Sequence, residues 1–477
     1  MTAEYIKELK VAKYQCLTST LFFTRYFFKK RFNRKFVIGE HHKIIADVLD
    51  RVIKGELKKV IINIAPRYGK TEIAVKNIIA RGLAINPSSR YIHLSYSDDL
   101  ALDNSDEIRE LIKSAEYQEM FPNVKIKPKS DSKKKWYTSE DGGVYATSAA
   151  GQVTGFGAGQ VDDEDSKILD NWLIGNDGQL FGGALIIDDP IKPEDADSDI
   201  IRERVNQRFD STIRNRVNSR NTPIIIIMQR LHEKDLCGYL IEQEPDEWEV
   251  ISLPCIKPNG TALWEFKHTI EELNKIKANN KVVFERQYMQ SPKPLEGLMF
   301  PENELRYFKP NDILKFESSL AYADIADEGD DNLSAPVGRN IGSDIYITDV
   351  TFCRENTDIT IPMVMDMIVK NDARYIRVES NSMGAMYARN LTKELKVCKV
   401  LTAHSTANKF TRILNDAAFI KKHCLFVDPT MQTPQYKAFF KELTSYLSNG
   451  KSKHDDAPDS MSGLAMFIRA MLPKHYA

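Results

Sequence analysis

Val60-Ile61-Ile62-Asn63-Ile64-Ala65-Pro66-Arg67-Tyr68-Gly69-Lys70-Thr71 decides how the first half of the chain folds. The apolar, β-branched run predicts a buried strand, Pro66 and Gly69 mark a turn, and Lys70-Thr71-Glu72 opens a helix. That layout makes a phosphate-binding loop when backbone N–H groups of the turn and helix N-terminus face an anion. The lysine then reaches the β/γ-phosphates and the threonine hydroxyl sits on Mg2+. Pro66, Arg67, Tyr68, Gly69, Lys70 and Thr71 are the residues so offered to a nucleotide. The full motif has a glycine five positions before Gly69, and Ile64 stands there. On this stretch alone, an ordinary strand–turn–helix with a surface lysine fits equally well.

The bulk numbers set the frame. At 477 residues the chain is too long for one core of usual size, so two or three domains are expected. A hydrophobic share of 42% and a charged share of 28% are those of a soluble globular protein. No apolar run reaches the roughly 18 residues of a membrane span, and no signal-peptide core forms at the N-terminus. The six cysteines include no Cys-x-x-Cys pair, which argues against a zinc ribbon and for a reducing compartment. A net charge of −1 leaves nucleic-acid binding to local basic stretches.

Working outward, residues 1–55 read as helical, with a basic, aromatic stretch at 22–36 that suits either phosphate contacts or a solvated helix face. After the loop the chain alternates as an α/β protein: strand 90–95, helix 98–112, strand 143–147. A glycine-rich turn, 151–157, precedes a polar, acidic stretch at 158–181 that reads as an exposed insertion. Residues 183–190 then form an apolar strand ending in Asp188 and Asp189. In a nucleotide hydrolase the first carboxylate holds the Mg2+ shell and its neighbour orients or deprotonates the attacking water; alone, Asp-Asp after a strand is a turn signal. An arginine-rich helix is expected at 200–217. The continuous apolar run 222–229 is a central strand, whose terminal Gln229 and Arg230 face the ligand crevice. A helix from 232 and a strand at 248–253 close this domain.

Weak periodicity over 254–310, with Pro292, Pro294 and Gly297, marks a linker. A new domain opens near 320, with strands at 321–326, 337–340, 344–350, 375–379, 400–404 and 424–427 and helices between and after them. Asp324 lies on its first strand, Glu379 ends a later one, and Asp455, Asp456 and Asp459 begin the last helix. Acids on strands are poor choices for burial unless exposed or bound to a cation. Three hard oxygen ligands converging from separate elements suit Mg2+ or Mn2+, and paired metals clamp both oxygens in phosphodiester cleavage. That is the layout of an RNase H-like nuclease. An N-cap plus two strand-edge acids is the alternative.

Taken together, these pieces resemble the large terminase subunit of tailed bacteriophages, over nearly the whole chain. The resemblance rests on Ala65 to Glu72 with its absent first glycine, Ser95-Tyr96-Ser97, Thr154-Gly155-Phe156-Gly157, Asp188-Asp189-Pro190 and Gln229 to Leu236. Gln287-Tyr288, Gln290-Ser291-Pro292, Gly297, Asp324, Glu379 and His454-Asp455-Asp456 with Asp459 complete it. It implies a P-loop ATPase domain with a mainly parallel sheet at 56–255, preceded by a helical segment at 1–55. A lid or linker at 256–315 and an RNase H-like α/β nuclease domain at 316–477 follow. It implies that Lys70 and Thr71 hold phosphates and Mg2+, that Asp188 serves the metal shell, and that Asp189 is the catalytic carboxylate. Arg67 is implied at the γ-phosphate, and Gln229 and Arg230 in coupling. Asp324, Glu379 and a C-terminal aspartate would bind metal, Asp456 before Asp459, which lies three residues on and so on roughly the same helix face. The implied cofactors are ATP and Mg2+, with Mn2+ possible in the nuclease. The implied partners are double-stranded DNA, a portal protein, a small terminase subunit and further copies of the chain in a ring, with no membrane. The implied setting is the cytoplasm of an infected bacterium rather than the mature virion. Other functions compatible with the residues are a repair or recombination helicase–nuclease, which needs strand-separating motifs that the sequence lacks, and a nucleotide-switched assembly factor with structural acids.

Overall fold

The computed structural model describes residues 2–128, 130, 132–151, 155–160, 180–293, 296–310, 316–325, 332–380, 384–404 and 408–472, and divides into two compact units, residues 1–293 and 294–477. In the first unit the strands are β1 (Lys59–Ile64), β2 (Arg90–Ser95), β3 (Lys135–Tyr137), β4 (Gly143–Ser148), β5 (Gly183–Asp188), β6 (Ile224–Met228) and β7 (Glu249–Leu253). They lie in the order β3-β4-β2-β5-β6-β1-β7. Every neighbouring pair is parallel except β3 with β4. This is the mainly parallel α/β sheet expected from the sequence.

Such a sheet is buried on both faces, which is why its central strands are apolar without interruption. Ile62, Ile64, Ala184, Ile186, Ile225 and Ile227 enter one core, shared with the N-terminal helix Glu40–Ile53 and the helix after the phosphate loop. Ile61, Leu185, Ile187, Ile224 and Ile226 point into the opposite core. Each such buried isoleucine or leucine contributes about 1.5–3 kcal/mol relative to an exposed one. The register Asp188↔Ile227 and Asn63↔Met228 brings the C-terminal ends of β5, β6 and β1 level with one another. Because β6 lies between β1 and β5, the residues following β6 sit between the phosphate loop and the two carboxylates.

Two expected helices differ. The one expected from residue 232 starts at Leu236, because the Asp235 carboxylate accepts the Gly238 N–H at 2.9 Å as an N-cap. The arginine-rich helix is regular only over Asp199–Arg208 and then changes to wider and tighter turns up to Arg216. Thr154, most of the acidic insertion (161–179) and Met383 lie outside the described residues.

The second unit is built on β8 (Arg306–Phe308), β9 (Ser318–Ala323), β10 (Leu333–Ile341), β11 (Asp344–Cys353), β12 (Tyr375–Glu379), β13 (Lys399–Ala403) and β14 (Cys424–Val427), in the order β13-β12-β9-β10-β11-β14-β8. The β9–β10 and β10–β11 pairs are antiparallel, and the remaining neighbours are parallel. The final helix, Asp456–Met471, lies across β9 and β10 and against the helix Lys409–His423. Glycine permits that approach: a Cβ on Gly463 would lie 2.3 Å from the Tyr322 ring. Among the described residues no helix is long and apolar enough to cross a membrane.

Candidate functional site

In the first unit the phosphate loop meets the carboxylates directly. Lys70 Nζ lies 2.6 Å from Asp189 Oδ2, and the Thr71 hydroxyl donates to Asp188 Oδ2 at 2.7 Å. Asp189 has a left-handed φ of 46°, a conformation Asp tolerates better than most residues. Its backbone is pinned on both sides: its N–H donates to Ile227 O at 2.9 Å and its carbonyl accepts from Tyr96 N–H at 2.8 Å. The bend thus carries the side chain off the line of β5 to Lys70. Gly69 has a φ of 78° and His42 Nε2 only 2.7 Å from where a Cβ would sit, so conformation and space both require glycine there. Pro66 is half-buried in the turn. Arg67 stands exposed on it with a φ of 61°. Tyr68 is buried, its hydroxyl 3.0 Å from His268 Nδ1.

Burial, reinforced by the neighbouring Asp189, pushes the Asp188 carboxyl up to about 6. Its Oδ1 is buried without a partner among the described residues, and so is the side-chain oxygen of Gln229. Unpartnered acceptors facing a site beside a lysine and a threonine hydroxyl fit a Mg2+–phosphate group. Gln229 addresses the carboxylates through its backbone, its N–H donating to Asp189 Oδ1 at 3.2 Å. Arg230 corrects an expectation. Its guanidinium does not face the nucleotide side: Nε lies 3.0 Å from both oxygens of Asp235, and Nη2 donates to the carbonyls of His232 and Glu233.

In the second unit Asp324, one residue past β9, Glu379 at the end of β12 and Asp459 in the final helix each place a carboxylate oxygen within 4.8 Å of the others. An octahedral Mg2+ with bonds of about 2.0–2.1 Å spaces adjacent oxygens roughly 2.9 Å apart, so the three carboxylates would draw in around an ion. Burial and then the charge of Asp459 push the Asp324 carboxyl up to about 8. Burial pushes Asp459 up to about 6, against the opposing pull of Arg412 and Lys409. Burial holds these acids above their usual range in spite of the cations beside them, and a divalent ion among them would favour their charged forms.

The order expected among the C-terminal aspartates is reversed. Asp456 turns its Oδ2 to the Asn332 backbone N–H at 2.8 Å and side-chain N–H at 3.0 Å. Asp455 accepts from Lys409 Nζ at 2.6 Å. Asp459 alone of the three joins Asp324 and Glu379. The three-residue spacing cannot fix which side of a helix turn faces the sheet; packing against β9 and β10 does. Three further residues support the acids without having been singled out in the sequence. Lys409 lies 3.3 Å from Asp459, Arg412 pairs with Asp459 and lies 3.7 Å from Glu379, and the buried Tyr322 donates to Glu379 at 2.9 Å. Lys409 and Arg412, three apart at the start of a helix, were the available signal.

A family model described as the terminase RNaseH-like domain matches residues 322–466, which include all three acids. No curated protein sequence matches. Among solved structures, the chain is similar in fold to the large terminase of a thermophilic bacteriophage, with a TM-score of 0.52 at 12% identity over 89% of this chain and 98% of that one. That phage protein in complex with ATP-gamma-S is similar to the same degree, with a TM-score of 0.51 at 12% identity over 87% and 97% of the two chains. Residues 322–466 thus carry a terminase RNase H-like domain, and the chain as a whole is similar in fold to a phage large terminase.

Proposed function

We propose that this chain is the motor and nuclease of viral genome packaging: it hydrolyses ATP to drive double-stranded DNA into a procapsid and cuts concatemeric DNA with a divalent metal. The observation that carries the reading is the pairing of Lys70 with Asp189 and of Thr71 with Asp188 at the C-terminal edge of a parallel sheet, in a chain whose other unit gathers Asp324, Glu379 and Asp459. Bound ATP and Mg2+ would supply the polyphosphate and the Lewis acid. Lys70 and the loop N–H groups would hold the phosphates, and Thr71 and Asp188 the metal shell. Asp189 would orient the attacking water, and Arg67, exposed on the turn, would meet γ-phosphate charge. In the second unit the three acids would hold Mg2+ or Mn2+ against a DNA phosphate. Movement of DNA through backbone contacts would be independent of sequence and sensitive to salt. Portal protein, small terminase subunit and further copies of the chain would be the partners, in the cytoplasm of the infected host.

Lys70→Ala should abolish ATP turnover, measured as phosphate release; turnover at the wild-type rate would refute the assignment of the phosphate site. In a plasmid-nicking assay with Mn2+, Asp324→Asn, Glu379→Gln and Asp459→Asn should each lower cleavage by about 100-fold or more, whereas Asp456→Asn should lower it by less than about tenfold. Equal loss in Asp456→Asn and Asp459→Asn would exclude Asp324, Glu379 and Asp459 as the ligand set.

A further inference from the structure

Arg230 has its guanidinium committed to Asp235, yet its backbone stands next to the peptide that addresses Asp189. The Arg230 N–H donates to the side-chain oxygen of Gln290 at 2.9 Å. Gln290 is 6% exposed and holds a left-handed φ of 56°. Its amide nitrogen donates to the carbonyl of Gln287, so the orientation of the amide is fixed and the oxygen faces Arg230. Two consecutive amides therefore bridge two distant pieces of chain: Gln229 N–H to the Asp189 carboxylate at 3.2 Å and Arg230 N–H to Gln290. The segment bearing Gln290 is itself anchored to the loop that follows Asp189, through Arg286 Nη1 and Asp197 Oδ1 at 2.7 Å, both buried side chains.

Resting on the ATPase reading above, we infer that Gln290 is a positioning residue for ATP hydrolysis: by holding the Arg230 amide it fixes the Gln229–Arg230 peptide and so aims the Gln229 N–H at Asp189. A carboxylate that must orient water works best when its own second donor is fixed. Gln290 lies three residues before the unit ends at Lys293. The path of the chain as it leaves the unit thus bears on the carboxylate at the hydrolytic site. Gln290 bonds to Arg230 and Gln287 and reaches the site only through the aim of the Asp189 carboxylate, so the effect falls mainly on turnover rather than on nucleotide affinity.

Gln290→Met keeps the shape and removes both hydrogen bonds, whereas Gln290→Glu keeps an oxygen to accept from Arg230. In the full chain, Gln290→Met should lower kcat for ATP about tenfold with KM within about twofold of wild type, and Gln290→Glu should recover most of the loss. Hydrogen exchange read by mass spectrometry should be faster over 229–231 in Gln290→Met than in the wild type. A wild-type kcat in a folded Gln290→Met, or equal losses in both variants, overturns the positioning role. If the unsubstituted protein shows no turnover that depends on Lys70, the ATPase reading itself fails and the inference with it.

Discussion

Two histidines support the phosphate loop from beneath. His41 Nε2 and His42 Nε2 lie 3.0 and 3.1 Å from the Tyr68 carbonyl oxygen, and the two rings are 3.8 Å apart. Because Gly39 N–H donates to His42 Nδ1 at 2.8 Å, the His42 proton is on Nε2, aimed at the Tyr68 carbonyl. Burial pushes His41 down to about 4 and His42 down to about 3. A histidine depressed in the folded state stabilises it fully above its unfolded pKa near 6.5, and that stability drains away as pH falls towards the folded values. Denaturant melts of the full chain should lose up to about 1.4 kcal/mol per pH unit for each histidine below about pH 6. His42→Asn should flatten that slope; an unchanged slope would exclude the pair as its source. None of this was legible in the sequence, where both histidines fell within a stretch read only as helical. The loop itself was legible, because β-branched burial followed by Gly-Lys-Thr is a local pattern. A carbonyl held by residues 26 and 27 positions away is not.

At the scale of elements, the final helix decides the geometry of the three-acid site. Its N-terminal turn carries Asp459 and its middle lies on the Tyr322 ring at Gly463. Tyr322 in turn donates to Glu379. Gly463→Ala would push against a buried ring between two packed layers. It should cost about 1–3 kcal/mol in stability and depress nicking, since Tyr322 and Asp459 shift together. A Gly463→Ala protein that melts and cuts like the wild type would show that the ring yields freely. The sequence revealed that this helix exists and begins in acids, because its apolar period and the aspartate run are local. It did not reveal the helix rotation, and so could not separate Asp456 from Asp459. Rotation comes from Gly338, Gly463 and the sheet beneath, which meet only in the folded unit.

At the scale of the whole molecule, two sheets of different topology each place functional residues at strand ends. The fold class was readable because parallel strands buried on both faces are continuous apolar runs, while β10 and β11 are joined by a two-residue Gly-Ser turn. The Gln290 contact was not readable, being a long-range pairing between polar residues, and the spacing of Lys409 and Arg412 on one helix face named no acid for them to meet. Lys409 and Arg412, already lodged against the acids, carry a practical consequence. A carboxylate cluster with its own resident ammonium and guanidinium does not need a metal ion to hold its shape. The second unit should therefore keep its melting temperature within about 2 °C in excess EDTA while losing all nicking activity, and regain activity at once when Mn2+ is restored. A large fall in melting temperature on chelation would show that the metal is architectural. If it is not, the acids keep their places without an ion, and the ion brings chemistry to a site already built.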